Sequence, residues 1–135
     1  MIQRVYENAQ AAGSLNEVIV ATDDERISKH VKEFGGKVVM TSSSHKSGTD
    51  RCCEALKKAG QKYDCTINIQ GDEPFINPEQ INLLAKCLKR KNTGIATLIK
   101  KISNTDDLVN VNTPKVIINY RGEAIYFSRT PVPFF

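Results

Sequence analysis

The sequence predicts a Rossmann-like α/β fold, in which helices cover both faces of a mostly parallel β-sheet. Two observations carry this prediction. Short apolar segments alternate with amphipathic helical segments through residues 1–90. The short segments are continuously apolar rather than alternating, which is typical of parallel strands buried on both faces. With 135 residues, 40% of them apolar, the chain has the size and composition of one three-layer α/β domain.

The first elements follow from spacing and capping signals. Apolar residues recur at the i, i+3, i+4, i+7 spacing over residues 2–9, which predicts an amphipathic helix. The segment E-V-I-V-A at 17–21 predicts a short buried strand. Thr22 and Glu25 have the spacing of a capping box, so Thr22 is expected to cap a second helix. That helix is expected to end at Gly35.

The pattern then repeats along the chain. A second strand is predicted over 37–41, a helix over 52–59 and a third strand over 65–69. Asn77, followed by Pro78 and Gln80, has the composition of a helix start with its own capping box. Further strands are predicted over 95–99, 116–119 and 124–127.

The fold class places ligands at one edge of the sheet. In open α/β sheets, ligands bind beyond the carboxyl ends of the strands. This rule selects three loops, at 22–24, 41–51 and 70–75. The first has acidic residues where a helix dipole already favours them, so it can be an ordinary helix start.

The loop Gln70-Gly71-Asp72-Glu73-Pro74 carries the sharpest chemical signal. Gly71 permits a tight turn or a close approach to a ligand. Asp72 offers a carboxylate at the rim, which suits Mg²⁺ because this ion takes one or two protein carboxylates together with substrate phosphates. The alternative is a turn whose acids only cap the following segment.

The loop from 44 to 51 combines hydroxyls, a glycine and cations before a helix. A helix start with free N–H groups favours anions or polar ligand edges, which makes Ser47, Gly48, Thr49 and Arg51 candidates. An ordinary cap by Ser47 or Thr49 is the alternative. We expect His45 to be solvated rather than catalytic.

Composition and motif searches exclude several classes. The chain has no apolar run long enough to cross a bilayer and no signal-peptide pattern at its start, so a cytoplasmic protein that does not bind membranes is expected. The four cysteines have no metal-site spacing, and the dinucleotide and P-loop motifs do not occur. The basic residues at 86–91 follow a predicted helix and have no interleaved aromatic residues, so nucleic-acid binding is not expected.

Six segments stand in a specific order: V-A-T-D-D at 20–24, G-G-K-V-V-M-T at 35–41, H-K-S-G-T-D-R at 45–51, N-I-Q-G-D-E-P at 68–74, T-P-K-V at 113–116 and Y-F-S-R-T-P-V-P at 126–133. In order and spacing they resemble the 3-deoxy-manno-octulosonate cytidylyltransferases, or CMP-Kdo synthetases. The resemblance implies a nucleotidyltransferase fold, a Mg²⁺ cofactor and a homodimer. It also implies the reaction of CTP with Kdo to give CMP-Kdo and diphosphate, which serves lipopolysaccharide synthesis.

The resemblance also implies roles for individual residues. Asp72 would be the Mg²⁺ ligand, Gln70 would bind the sugar, and Arg51 would contact substrate. Residues beside the nucleotide would be Thr22, Asp23, Ser47, Gly48 and Thr49. Residues on the sugar side or at the dimer contact would be Tyr126, Ser128 and Arg129.

The sequence departs from the family pattern at both ends. Family members begin with a strand and a basic loop resembling P-A-R-x-x-S-x-R-x-P-G-K-P, and Met1 aligns after it. They also continue past Y-F-S-R with a second metal-binding aspartate. The resemblance therefore predicts an incomplete fold, the central segment of a larger enzyme, with little or no activity alone. Two alternatives stay open: a cytidylyltransferase for another acidic sugar such as a sialic acid, and a non-catalytic nucleotide-binding remnant.

Overall fold

The computed structural model describes residues 1–133, which group into two compact units. The first unit spans Met1–Ala96, and the second begins at Thr97. The elements of the first unit are α1 (Ile2–Gln10), β1 (Val20–Thr22), α2 (Glu25–Glu33), β2 (Val38–Met40), α3 (Gly48–Ala59) and α4 (Pro78–Leu88). Those of the second are α5 (Thr105–Val109), β3 (Lys115–Ile118) and β4 (Ala124–Ser128). Across the described residues, no helix has both the length and the apolar character that crossing a membrane requires.

The first unit is built around a parallel βαβ unit. Strands β1 and β2 pair in parallel, with Val20 opposite Val38, and α2 connects them. One core cluster joins Tyr6 of α1, Val20 of β1 and Val31 of α2. These side chains are buried because the apolar faces of both helices pack against β1. Helix α3 also contacts both strands.

A second core cluster lies between α1, α4 and an extended segment. Ala9, Ala12 and Ile81 are almost completely buried there. Ile67 and Ile69 pack against them from residues 65–69. The small alanine side chains allow close packing, so α1 and α4 together fix the position of the extended segment.

The prediction of strands over 65–69 and 95–99 is wrong at the level of hydrogen bonding. Neither segment forms a strand in the described residues. A strand requires a neighbour for its N–H and C=O groups, and residues 65–69 have none although their isoleucines are packed. Residues 95–99 are mostly exposed as well, with Ile95 at 93%.

Helix starts were predicted with mixed success. Asp24, not Thr22, is the N-cap of α2, and its carboxylate accepts a hydrogen bond from the backbone N–H of Arg26 at 2.8 Å. Thr22 instead ends β1 and accepts from the Asp24 N–H at 3.1 Å. The capping box at Asn77 is confirmed. Helix α3 starts at Gly48, earlier than predicted, because Ser47 caps it.

The second unit contains an antiparallel hairpin. Strands β3 and β4 pair with Lys115 opposite Ser128, within one residue of the predicted bounds. Lys115 is buried, and its ammonium group donates to the carbonyl oxygens of Asn110 and Arg129 at 2.5 and 3.1 Å. These bonds compensate the cost of burying the charge and tie the hairpin to the preceding segment.

Candidate functional site

The candidate site lies in the first unit, where several chain segments end at one edge. Strands β1 and β2 are parallel and end at Thr22 and Met40, and α3 begins at Gly48. The extended segment 65–69 leads into the loop that starts at Gln70. The structure thereby brings parts of all three predicted loops to the region around α3.

Gly48, at the start of α3, and Gln70, after the extended segment, are close neighbours. A Cβ atom placed on Gly48 would lie 3.3 Å from Nε2 of Gln70 and 3.6 Å from its Oε1. The Gln70 amide also donates to Oδ1 of Asn68 at 3.3 Å. A side chain at the start of α3 would therefore require the Gln70 amide to shift by a few tenths of an ångström.

Ser47 is committed to the helix start. Its hydroxyl accepts a hydrogen bond from the Asp50 N–H at 3.1 Å and donates to the Asp50 carboxylate at 2.7 Å. Ser47, Gly48 and Thr49 are all exposed. The capping interpretation of Ser47 is thus confirmed, and the exposed hydroxyl of Thr49 is accessible to a ligand.

Arg51 connects the ends of β1 and β2 to α3. Its Nη1 donates to the hydroxyl of Thr41 at 2.7 Å and lies 3.1 Å from Oδ1 of Asp23. The Arg51 side chain is only 21% exposed, and Thr41 is buried. One guanidinium nitrogen therefore fixes the two loops that follow the strands. The predicted contact of Arg51 with substrate would have to use its other nitrogens.

The turn from Gln70 to Glu73 presents carboxylates to solvent. The Glu73 N–H donates to the Gln70 carbonyl at 3.3 Å, and this bond closes the turn. Asp72 and Glu73 are both exposed. An exposed carboxylate fits Mg²⁺ when substrate phosphates supply further oxygen ligands. In the part of the chain that the structure describes, no group of three or more His, Cys, Asp or Glu residues could hold a metal by itself.

Glu54 organises the loop between β2 and α3, a role that the sequence did not reveal. Its carboxylate pairs with the His45 ring, accepts from the Ser42 N–H at 2.9 Å and lies 2.7 Å from the Lys58 ammonium. The Lys58 hydrogen bond, followed by those from Ser42 and His45, lowers the pKa of Glu54 to about 2. His45 is therefore held by Glu54 rather than solvated alone. Only the i, i+4 spacing of Glu54 and Lys58 could have signalled part of this arrangement.

Thr41 is the other residue that sequence reasoning missed as a contact. It lies within the selected 41–51 loop, but nothing in its type distinguishes it from the neighbouring serines. Its role depends on the reach of Arg51 from the next helix. Such a contact between two elements has no local sequence signal.

Tyr126, Ser128 and Arg129 belong to the second unit. Tyr126 is exposed on β4. The Ser128 hydroxyl donates to the Thr130 carbonyl at 2.7 Å, and Nη1 of Arg129 donates to the Val111 carbonyl at 3.1 Å. These bonds shape the end of the hairpin. The predicted role of the three residues on the sugar side remains a prediction.

The chain is similar in sequence to known proteins. A family model described as "Cytidylyltransferase" matches residues 1–135. The 3-deoxy-manno-octulosonate cytidylyltransferase of Parabacteroides distasonis is 56% identical over 138 residues, covering 99% of this chain and 54% of that protein. The enzyme of the same name from Zea mays is 46% identical over 134 residues, covering 99% of this chain and 45% of that protein.

A solved structure shows the same arrangement of the backbone. It is CMP:2-keto-3-deoxy-manno-octonic acid synthetase complexed with CTP, with 42% identity and a TM-score of 0.89. The match covers 98% of this chain and 54% of that one. The chain thus spans about half the length of the relatives it matches.

Proposed function

The chain belongs to the cytidylyltransferase family, and from that premise we propose that it provides the nucleotide side of a CMP-Kdo synthetase. The proposed overall reaction transfers CMP from CTP to Kdo and releases diphosphate. The observation that carries the proposal is the meeting of Gly48 with Gln70, next to the exposed Asp72, at the carboxyl edge of β1. A solved relative with the same backbone arrangement binds CTP.

The proposed chemistry needs positioning more than covalent participation by the protein. The anomeric hydroxyl oxygen of Kdo forms a bond to the α-phosphorus of CTP, the bond from that phosphorus to the diphosphate oxygen breaks, and the hydroxyl proton is released. Groups that orient both substrates lower the barrier because they remove translational and rotational freedom before reaction. Gln70 suits this task since its amide can bind a sugar hydroxyl without adding negative charge near the phosphates.

We propose that Asp72 holds Mg²⁺ together with phosphate oxygens of CTP. When bound, the ion would neutralise charge on the phosphates and on the leaving diphosphate. Asp72 supports this proposal as an exposed carboxylate in a closed turn, next to Gln70. Arg51 would act as a positioning residue, because its contacts with Thr41 and Asp23 hold the loops after β1 and β2.

We also propose that the complete enzyme is a homodimer, as the family resemblance implies, and that it is cytoplasmic, as the sequence predicts. Apolar side chains on β4 support self-association, since Ile125, Tyr126 and Phe127 are each more than half exposed. Sedimentation of the full-length form would show a dimer, and a monomer at micromolar concentration would contradict this part of the proposal.

The test of activity uses a chimera, because the chain spans about half of its relatives. Residues 1–135 replace the matching segment of the Parabacteroides distasonis enzyme, with which they are 56% identical. Diphosphate release from CTP is then measured with Kdo and, separately, with N-acetylneuraminate. The unmodified enzyme is the positive control, and circular dichroism with CTP binding checks the folding of the chimera.

Each outcome separates the proposed function from its alternatives. Diphosphate release that requires Kdo supports the proposal. Diphosphate release that requires N-acetylneuraminate shows that the acceptor is another acidic sugar rather than Kdo. A folded chimera that binds CTP but releases no diphosphate with either sugar identifies a non-catalytic nucleotide-binding remnant. The 135-residue chain alone is expected to release little or none.

A further inference from the structure

Helix α3 carries three charged side chains on one side, and all of them bind the chain segment that precedes the helix. Arg51, Glu54 and Lys58 follow the spacing i, i+3, i+7, which places them in one row along a helix. Each of them binds a different residue of 40–42, where β2 ends and the loop toward α3 begins. The start of this loop is therefore fixed by the helix that follows it.

His45 is the residue of this loop that turns inward. In residues 42–50 every other residue is exposed, whereas the His45 side chain is only 21% exposed. Its Nε2 contacts Oε2 of Glu54, the same oxygen that accepts a hydrogen bond from the Ser42 N–H at 2.9 Å. One carboxylate oxygen thus joins two points of the loop that lie three residues apart.

The charge of Glu54 determines the direction of its hydrogen bond with His45. Hydrogen bonds from Lys58, Ser42 and His45 lower the pKa of Glu54 to about 2, so its carboxylate is ionised at neutral pH. An ionised carboxylate only accepts hydrogen bonds, so Nε2 of His45 carries the proton and donates it. Hydrogen bonds to an ionised group are roughly twice as strong as those between neutral groups, which makes this contact a strong attachment for the loop.

The rest of the loop has few other attachments. Among residues 43–46, as the structure describes them, only His45 makes a hydrogen bond to another element. The Ser44 hydroxyl bonds to that of Ser42, within the loop itself. Two residues after His45, Ser47 caps α3 and begins the group expected beside the nucleotide. The contact of His45 with α3 therefore determines how the loop enters the candidate site.

We propose that His45 and Glu54 are positioning residues for nucleotide binding, whose hydrogen bond holds residues 43–46 in the conformation that accepts CTP. This role rests on the proposed function, since that function assigns CTP to the loop. A loop that is competent only part of the time binds its ligand with an affinity reduced by the competent fraction. Loss of the hydrogen bond should therefore weaken CTP binding. It should leave the transfer step nearly unchanged, because the loop is ordered again once CTP is bound.

The test compares three replacements of His45 in the chimera with the Parabacteroides distasonis enzyme. His45→Ala removes the donor and should raise KM for CTP about tenfold, with kcat and KM for Kdo changed by less than about twofold. His45→Gln places an amide N–H as many bonds from the backbone as Nε2, so it should restore most of the affinity for CTP. His45→Asn carries the same group one bond closer to the backbone and should behave like His45→Ala.

The matched control is His30→Ala. His30 also pairs with a glutamate, since its Nδ1 lies 3.6 Å from Glu33, but both side chains are at least half exposed and neither contacts the loop. We expect this control to leave KM for CTP unchanged.

A double-mutant cycle tests whether His45 acts through Glu54. Once Glu54→Ala has removed the acceptor, adding His45→Ala should weaken CTP binding no further. Titration calorimetry with CTP measures the affinity of each variant, and circular dichroism checks its folding.

Unchanged KM for CTP in an active His45→Ala chimera would overturn the positioning role and leave the proposed function standing. A loss in kcat alone would also overturn it, as would equal losses in His45→Gln and His45→Ala. If His45→Ala does not fold, the comparison of His45→Gln with His45→Asn decides by the same criterion. A parent chimera that folds but binds no CTP would refute the proposed function, and the role of His45 with it.

Discussion

Replacing Arg51 by methionine tests whether one side chain holds the loops after β1 and β2 in place. The change keeps the length of the apolar stem but removes the 2.7 Å hydrogen bond to Thr41 and the 3.1 Å contact with Asp23. A hydrogen bond to a buried hydroxyl contributes about 1 kcal/mol, and a partly exposed ion pair contributes about 0.2–1 kcal/mol. Because the Thr41 hydroxyl is also left without its donor, we expect a total loss of about 1.5–2.5 kcal/mol.

Urea unfolding followed by circular dichroism measures this loss. The unfolding midpoint should fall by roughly 1 M for a slope of about 2 kcal/mol per molar urea. Arg26→Met is the matched control, since Arg26 pairs with Asp24 but its side chain is 91% exposed. We expect no measurable change for this control. If the two variants have the same stability, Arg51 does not connect the loops as described. A Thr41→Val variant should show most of its effect only when Arg51 is present.

Three further changes test separate parts of the structure. Glu54→Gln should lower the free energy of unfolding at neutral pH. The difference from the parent chain should disappear as the pH falls from about 4.5 to about 2, because the folded pKa of Glu54 lies at about 2 and its ordinary value is 4.5. Urea midpoints across this pH range measure the difference, and a difference that stays constant would contradict the ion pairs described for Glu54. Gly48→Ala should raise KM for Kdo in the chimera by about 3–10-fold with unchanged stability, because the new methyl group displaces Gln70, the proposed sugar ligand. Unchanged kinetics would show that the close approach is unimportant. Cys52 should react with a disulfide reagent more slowly than the exposed Cys53, because burial raises the pKa of the Cys52 thiol. Mass spectrometry after partial labelling measures which cysteine is modified first, and faster modification of Cys52 would contradict this prediction.

The helices of the first unit were predictable because their signals are local. The capping box at Asn77 and the apolar spacing over residues 2–9 involve neighbours in sequence, and the observed α1 and α4 confirm both. The start of α2 was misplaced because Thr22 and Asp24 are both good caps, and pairing of Thr22 in β1 decided between them.

The pairing of strands into a sheet was harder to predict than which segments have the composition of a strand. Ile67 and Ile69 pack against the core, but Cys65, Thr66 and Asn68 are exposed, and residues 65–69 lack a hydrogen-bonding neighbour in the described chain. Strand pairing depends on segments distant in sequence, whereas composition reports only burial. The same limit explains why the contacts of Glu54 and Arg51 could not be inferred from motif order.

The rule for the carboxyl ends of strands selected loops that lie close together, since Gly48 and Gln70 come from different loops and are neighbours. The roles of these residues toward a substrate stay predictions. The roles of Tyr126, Ser128 and Arg129 rest on resemblance alone, and their hydrogen bonds in the hairpin neither require nor oppose a substrate.

The central claim, that the turn after residues 65–69 supplies the metal-binding carboxylate of a cytidylyltransferase, is tested most directly by Asp72→Asn in the chimera. The measurement is Kdo-dependent diphosphate release from CTP at increasing Mg²⁺ concentration, with Glu73→Gln as the neighbouring control. We expect Asp72→Asn to retain the fold and to lose about 10²–10³-fold in turnover, while the control keeps most of its activity. Near-normal turnover of Asp72→Asn would contradict the claim.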